Sequence, residues 1–463
     1  MKAIMVGGTT SSAGKSLISM AICRILAKKG YDVAPFKAQN MSLNSFVTKK
    51  GKEIAIAQAM QAFAAGIEPD ERMNPILLKP KGNFVSQLII LGEAIGDIDS
   101  LDYYKKISEL RKVVEEAYRS LSEEYEIVVI EGAGGMAEIN LYERDLPNIF
   151  TAKLAKPKII LVGDIDRGGV FASLYGTYSL LPEDVRTMIC GFIINRLRGR
   201  EDFLVEGIKK LENLCKLPVA AVIPYMDFAF PSEDSLNIEE WKGEGLIGIV
   251  RLPRISNFTD FEPLRSVASF LDLKSKPECE ILIIPGSKDT IADLKSLKES
   301  PMMEEIKKMA GKKLIIGICG GYQMLGRKIQ DYGVEHDFIT LKGLGLLNAE
   351  TKFENYKKKT QQVSKKVTGD AEIVRKIKGE IVWGYEIHKG ITISEKPVFE
   401  DDGCESEDGM CWGTYLHGLF WNSNVVNAVE NYLGVRIEHI DGFEVLIKEI
   451  EKRLGSFLEK LVN

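Results

Sequence analysis

Short runs of β-branched and aliphatic residues alternate with longer amphipathic stretches through the first half of the chain. The runs cover 2–6, 32–36, 127–130, 158–163, 190–194 and 219–223. They are nearly continuous, the pattern of strands buried on both faces of a parallel sheet. Ser16 to Gly30 spaces its apolar residues at helical intervals and ends on glycine, which predicts a helix with a glycine stop. Such alternation predicts βαβ units. The rhythm lapses over 225–245, from Tyr225-Met-Asp-Phe-Ala-Phe-Pro to Gly243-Glu-Gly245. A second α/β pattern starts at Leu246-Ile-Gly-Ile-Val and runs through 281–284 and 314–316 to strand-like sequence near Val382.

A chain of 463 residues is longer than one hydrophobic core usually serves. The expected organisation is therefore a domain at 1–225, a linker at 226–245, a second α/β domain at 246–430, and a C-terminal helical segment at 431–463. The lysine-rich 352–380 stretch reads as a solvated excursion, its charge offset by acidic 400–408. A formal net charge of −5 provides no basic footprint for nucleic acid. No apolar run is long enough to span a bilayer, and strand-like sequence from residue 3 leaves no room for a signal peptide. A cytoplasmic protein acting on small molecules is the expectation. The seven scattered cysteines, without a Cys-x-x-Cys pair, fit reduced thiols.

Ligands of open parallel sheets bind beyond the carboxyl ends of the strands. In the first domain those ends carry Gly7-Gly8, Lys37, Glu131, Asp164 and Asn195. The loop Gly8-Thr-Thr-Ser-Ser-Ala-Gly14-Lys15-Ser16 follows a strand and opens a helix. Its backbone N–H groups, Thr10 among them, would cradle phosphates at the helix N-terminus. Lys15 would neutralise the terminal phosphates and the Ser16 hydroxyl would ligate Mg²⁺. The loop is one residue longer than the standard pattern. Glu131, between Ile127-Val-Val-Ile and Gly132-Ala-Gly-Gly, is a second candidate for Mg²⁺. Asp164 is a third. Asp166 either joins that rim or N-caps the following helix. Asn195 either reads adenine or caps a loop. Lys37 would reach phosphate or a substrate carboxylate.

Gly317-Ile-Cys319-Gly-Gly321 has the form of a nucleophile elbow carrying cysteine, at the end of an apolar strand. A helix beginning at Gly320 would favour the thiolate. The Gly320 N–H would donate to an oxyanion, with a second donor from the strand-end loop at Gly286-Ser287. Such a nucleophile needs a base that titrates near neutrality. His417, in Thr414-Tyr-Leu-His-Gly-Leu-Phe420, is the candidate. His388 lies in a strand pattern and reads as structural, whereas His336 and His439 read as surface residues.

The glycine loop with Glu131-Gly-Ala-Gly-Gly resembles the dethiobiotin-synthetase type of P-loop domain. The second domain's Gly-Ile-Cys-Gly-Gly-Tyr-Gln and Tyr-Leu-His-Gly-Leu-Phe resemble class I, triad-type glutamine amidotransferases. That resemblance implies a thioester on Cys319, release of ammonia, and Gln323 in the glutamine pocket. One position departs from it. The partner acid normally lies two residues after the histidine, where this chain has Leu419. The histidine therefore either lacks a carboxylate or borrows one such as Glu386.

A P-loop synthetase joined to a glutaminase without that acid resembles the cobyrinate-amidating enzymes. Phe36-Lys-Ala-Gln-Asn-Met-Ser-Leu-Asn-Ser45, Glu53-Ile-Ala-Ile-Ala-Gln58, Met73-Asn-Pro-Ile-Leu-Leu-Lys-Pro80 and Gly163-Asp-Ile-Asp-Arg-Gly-Gly-Val-Phe171 are similar to the cobyric acid synthase branch. The resemblance implies ATP- and glutamine-dependent amidation of four carboxylates of adenosylcobyrinic acid a,c-diamide, with ATP and Mg²⁺ required. It also implies corrinoid contacts from Gln39, Asn40 and Asn44. The rivals are a cobyrinic acid a,c-diamide synthase, another carboxylate amidoligase, and a P-loop organising ATPase. The last normally has an extra lysine early in the loop, which Gly8-Thr-Thr-Ser-Ser lacks.

Overall fold

The computed structural model describes residues 2–82, 84–226, 241, 243–356, 358–437 and 442–463. Most of the expected linker and His439 lie outside the described residues. The chain divides into two compact units: Met1–Ser42 with Glu53–Phe230 and Ile440–Asn463, and Leu43–Lys52 with Pro231–His439. This division differs from the sequence expectation at two places. The decapeptide 43–52 belongs with the second unit, and the C-terminal helix belongs with the first.

The first unit is built on a six-stranded sheet. In order across the sheet the strands are Val219–Pro224, Ile189–Leu197, Lys158–Asp164, Lys2–Gly8, Ile127–Glu131 and Val33–Phe36. All neighbours are parallel, so every carboxyl end falls on one rim. Successive side chains alternate between two cores. Ile4 and Val6 pack on one face and Met5 on the other. Helix Lys15–Lys28 covers the first face through Ile18, Ile22 and Ile25. Helix Gly442–Val462 shares that core through Leu446, Ile450 and Leu454, and is pinned by Glu444 on Arg24 and Lys28. Helices Ile107–Glu124 and Val170–Leu180 cover the opposite face.

A four-stranded sheet of Gln39–Met41, Ile76–Gly82, Val85–Ile90 and Glu93–Asp99 was not foreseen from the sequence. Its hydrophobic runs are interrupted by charged and proline positions, which blurs the strand period. Leu91 and Gly92 turn its last hairpin with φ of 45° and 76°, the sign of φ a two-residue hairpin turn demands.

The second unit has its own six-stranded sheet, in the order Ala268–Leu271, Ile247–Val250, Ile281–Ile284, Leu314–Ile318, Cys411–Thr414 and Cys404–Glu405. All neighbours are parallel except the last pair. The lysine-rich stretch is not a loose excursion. Lys359–Lys366 pairs antiparallel with Ile381–His388, and Lys365 is buried between Glu386 at 2.8 Å and Asp401 at 2.5 Å. The acidic stretch expected to offset this charge does so by direct contact. The decapeptide is fixed within this unit through Leu43 O to the Asn257 N–H, Val47 O to Gln362, and Val47 packed on Tyr385 and Ile387. No helix among the described residues is long and apolar enough to cross a membrane.

Leu454 is fully buried in the helix shared with the P-loop face. Leu454→Ala should destabilise the first unit by about 2–5 kcal/mol, read as a lower urea midpoint. An unchanged midpoint would mean that the terminal helix does not belong to that core.

Candidate active sites

Gly14 ends the phosphate loop at φ 96°, and a Cβ there would lie 2.1 Å from the Asn195 amide nitrogen. Only glycine fits on both counts. Asn195 donates to Ala13 O at 2.9 Å, so its amide braces the loop where base recognition was one expectation. Lys15 is buried and bridges two loops, donating to Thr10 O of its own loop at 2.9 Å and to Gly134 O, after strand Ile127–Glu131, at 2.8 Å. Those two carbonyls occupy the ammonium as phosphate oxygens would. Gly8 stands against the Lys15 side chain, where a Cβ would come within 2.9 Å of Nζ.

Glu131 is fully buried and is the hub of this site. Its Oε1 accepts from Ser16 Oγ at 2.8 Å and from Lys37 Nζ at 2.7 Å. Its Oε2 accepts from Gln58 at 3.1 Å and Gln61 at 2.5 Å, three residues apart on helix Ile56–Ala65. Asn40 donates to Gln58 Oε1 at 2.9 Å, extending the network. A buried carboxylate demands donors of this kind. Ser16 and Glu131 together form a hard-oxygen pair suited to Mg²⁺ that takes its remaining ligands from phosphate and water. No group of three or more His, Cys, Asp or Glu among the described residues is arranged to hold a metal by itself.

Several expectations change here. Asp164 accepts from Arg196 at 3.0 Å and from the Asp166 N–H at 2.9 Å. Asp166 does not cap the next helix, whose N-cap is Gly169, but pairs with Arg198 at 2.8 Å. Lys37 is spent on Glu131 inside the protein. Asn40 and Asn44 are buried, and Gln39 accepts from the Tyr103 hydroxyl.

In the second unit, Cys319 sits at φ 51°, ψ −106° between strand Leu314–Ile318 and helix Gly320–Leu325. This is sparsely populated backbone for a residue with a Cβ, as an elbow requires. The turn is tight: a Cβ on Gly321 would fall 1.9 Å from Ile284 O. Ser287 N lies 2.9 Å from the point a Cβ on Gly320 would occupy. The two expected oxyanion segments are thus adjacent. Ser287 Oγ is tied to Asp293 at 2.7 Å, and burial pushes the Asp293 carboxyl up to about 6. The Gly286 carbonyl accepts from Ser256, and a Cβ on Gly286 would stand 3.4 Å from His417 Cε1. Gln323 is held by Tyr415 at 2.9 Å, Lys389 O at 3.1 Å and Thr290 at 3.2 Å.

His417 is fully buried, near enough to Cys319 for the two to interact electrostatically, and stacked on Tyr385, while the Cys319 thiol donates to Ile387 O at 3.5 Å. Its Nδ1 lies 2.6 Å from Asp260 Oδ2. Asp260 also accepts from the Gly418 N–H at 3.0 Å and the Tyr385 hydroxyl at 3.4 Å. The acid orienting the histidine is therefore Asp260, not Glu386. Tyr385 pairs with His417 in the sheet and Glu386 with Leu416, which turns Glu386 to the other face, onto Lys365, Lys359 and Gln361. Burial alone would lower the His417 pKa, but Asp260 and then Cys319 raise it to about 10. His388 is structural, stacked on Tyr415 and bonded to Gly390 O, with burial lowering it to about 4. His336 is an exposed partner of Asp289. Asp260 lies inside the 3-10 helix Phe258–Leu264, well past strand end Val250, so reading the strand ends did not reach it.

Known proteins match this arrangement. The model of CobQ/CobB/MinD/ParA nucleotide-binding domains matches residues 4–235, and that of CobB/CobQ-like glutamine amidotransferase domains matches residues 246–425. A probable cobyric acid synthase of Archaeoglobus fulgidus is 68% identical over 98% of this chain and 98% of its own. One of Methanosarcina mazei is 51% identical over 99% of this chain and 98% of its own.

Asp260→Asn keeps the shape but loses the charge that fixes the imidazole. Glutamate release from glutamine should fall by about 10²–10⁴-fold, and the alkaline limb of its pH profile should move down. The ion pair's contribution to stability is full below the unfolded imidazole's ~6.5 and is lost as pH rises through about 10. Comparing unfolding midpoints of both proteins at pH 6 and pH 10 checks this; an Asn variant with the native pH dependence would refute it.

Proposed function

The chain belongs to the cobyric acid synthase family of glutamine-dependent amidoligases, and we propose that it converts adenosylcobyrinic acid a,c-diamide into adenosylcobyric acid. Four peripheral carboxylates, b, d, e and g, are amidated in turn, each with one glutamine and one ATP. The observation that carries this reading is that both reaction centres stand on one chain, a Ser16–Glu131–Lys15 phosphate site and a Cys319–His417–Asp260 line.

A carboxylate is a poor electrophile, so its oxygen first takes the γ-phosphoryl group of ATP, giving an acyl phosphate and ADP. Lys15 exchanges its loop carbonyls for phosphate oxygens and offsets their charge. Glu131 is oriented by Lys37, Gln58 and Gln61. Mg²⁺ held by Ser16 and Glu131 would neutralise charge on the β- and γ-phosphates. In the other centre, the Cys319 thiolate attacks the glutamine side-chain amide carbon. Gly320 and Ser287 N–H groups stabilise the oxyanion, and His417 gives its proton to the departing ammonia. Water then cleaves the thioester to glutamate, with His417 taking the proton. Ammonia displaces phosphate from the acyl phosphate and leaves the amide.

The test is amidation of adenosylcobyrinic acid a,c-diamide followed by mass spectrometry, with cobyrinic acid as the competing substrate. Cys319→Ser should abolish glutamine-dependent amidation and leave ammonia-dependent amidation largely intact. Glu131→Gln should lower both by about 10²-fold or more. Preference for cobyrinic acid would transfer the protein to the a,c-diamide branch. A Cys319→Ser enzyme that still uses glutamine would overturn the assignment of the nucleophile.

A further inference from the structure

Asn257 stands at the end of the line formed by Asp260, His417 and Cys319. It N-caps the 3-10 helix Phe258–Leu264, which carries Asp260, and holds φ 52°, a left-handed value that asparagine tolerates. Its side chain is buried. The Oδ1 accepts from the Ser45 backbone N–H at 3.2 Å, and Nδ2 faces His417 Nε2 at 3.4 Å. The Asn257 backbone N–H donates to Leu43 O. Both backbone partners belong to the decapeptide 43–52.

The orientation of this amide has a chemical consequence. A backbone N–H can only donate, so the atom facing Ser45 must be the carbonyl oxygen, and the NH₂ group is turned to the imidazole. That NH₂ needs a lone pair on Nε2. His417 Nε2 offers one only when the ring is neutral, with its proton on Nδ1 toward Asp260. The imidazolium that activates the Cys319 thiolate carries a proton on Nε2, and Asn257 then sets donor against donor. The titratable groups against the ring are Asp260 from the 3-10 helix, Cys319 from the elbow and Tyr385 from strand Ile381–His388. Asp260 and the thiolate favour the imidazolium. Asn257 opposes it.

We propose that Asn257 is a positioning residue that restrains the glutaminase centre, and that the Ser45 N–H sets the restraint by fixing the amide. Withdrawal of that N–H lets the amide rotate and present its carbonyl to Nε2–H, which stabilises the thiolate–imidazolium pair. The decapeptide is bounded in sequence by Gln39–Met41 and Glu53–Ala55, both in the phosphate-site unit. The segment that sets the restraint is therefore covalently continuous with that unit at both ends. A restraint relieved from there would limit ammonia release to times when an acceptor is being made.

The inference rests on the Cys319–His417 reading above, and the test separates the two. Asn257→Gly removes the amide and keeps the left-handed backbone. Ser45→Pro removes the N–H together with the hydroxyl, and Ser45→Ala, which removes the hydroxyl alone, is its control. Glutaminase activity and iodoacetamide alkylation of Cys319 are measured without ATP or corrinoid. Asn257→Gly and Ser45→Pro should both raise alkylation at pH 7 by roughly threefold to tenfold, the range that one hydrogen bond moves an equilibrium. Both should also move the alkaline limb of kcat/KM for glutamine upward by about half a unit or more. An Asn257→Gly enzyme with lower kcat/KM and an unmoved limb would reduce Asn257 to a structural prop and overturn the proposal. A downward shift would overturn it as well, since Asn257 would then support the imidazolium. If only Asn257→Gly responds, the part assigned to the decapeptide fails. Unchanged glutamine hydrolysis in Cys319→Ser overturns the nucleophile assignment, and the restraint with it.

Discussion

A carboxylate taken out of water must be met by donors, and each half of this protein is organised around one such group. Glu131 takes Ser16, Lys37, Gln58 and Gln61; Asp260 takes His417, the Gly418 N–H and the Tyr385 hydroxyl. Leaving either unpartnered would cost several kcal/mol. The same donors that satisfy the charge hold the reacting groups in place. Ser16 is oriented toward the phosphate site by the group that would share its metal. His417 is held through its Nδ1 by Asp260.

Backbone constraint supplies the rest of the precision. Gly14 brings the helix N-terminus close to the loop because neither its φ nor its surroundings admit a side chain. Cys319 carries the opposite burden, a side chain where the backbone disfavours one, and the Gly320-Gly321 pair after it lets the chain pass Ile284 and Ser287. Parallel strands make both possible, since they bring their carboxyl ends to a common rim of each six-stranded sheet.

Much of each site was legible because the chemistry lies within a few residues of a strand end. The loop from Gly8 to Ser16, Glu131, Cys319 and His417 were reached in this way, with the bounds of the six strands of the first sheet found within three residues. Partners distant in sequence were missed. Asp260 meets His417 across 157 positions, and Gln58 meets Glu131 across 73. Neither pair leaves a local pattern. Lys365 read as solvated because charge alone does not reveal that this one lysine of its strand is buried and that Asp401 and Glu386 face it.

The sequence by itself determined the two α/β units, the phosphate loop and the cysteine elbow, because period and turn chemistry act over short stretches of chain. Tertiary structure decided which acid serves the histidine, which amides hold Glu131, and that residues 43–52 and the final helix leave their sequence neighbours. Those outcomes follow from sheet order and strand register, which bring distant strand ends together. The register placing Tyr385, rather than Glu386, opposite His417 settled the identity of the acid, since adjacent strand residues point to opposite faces.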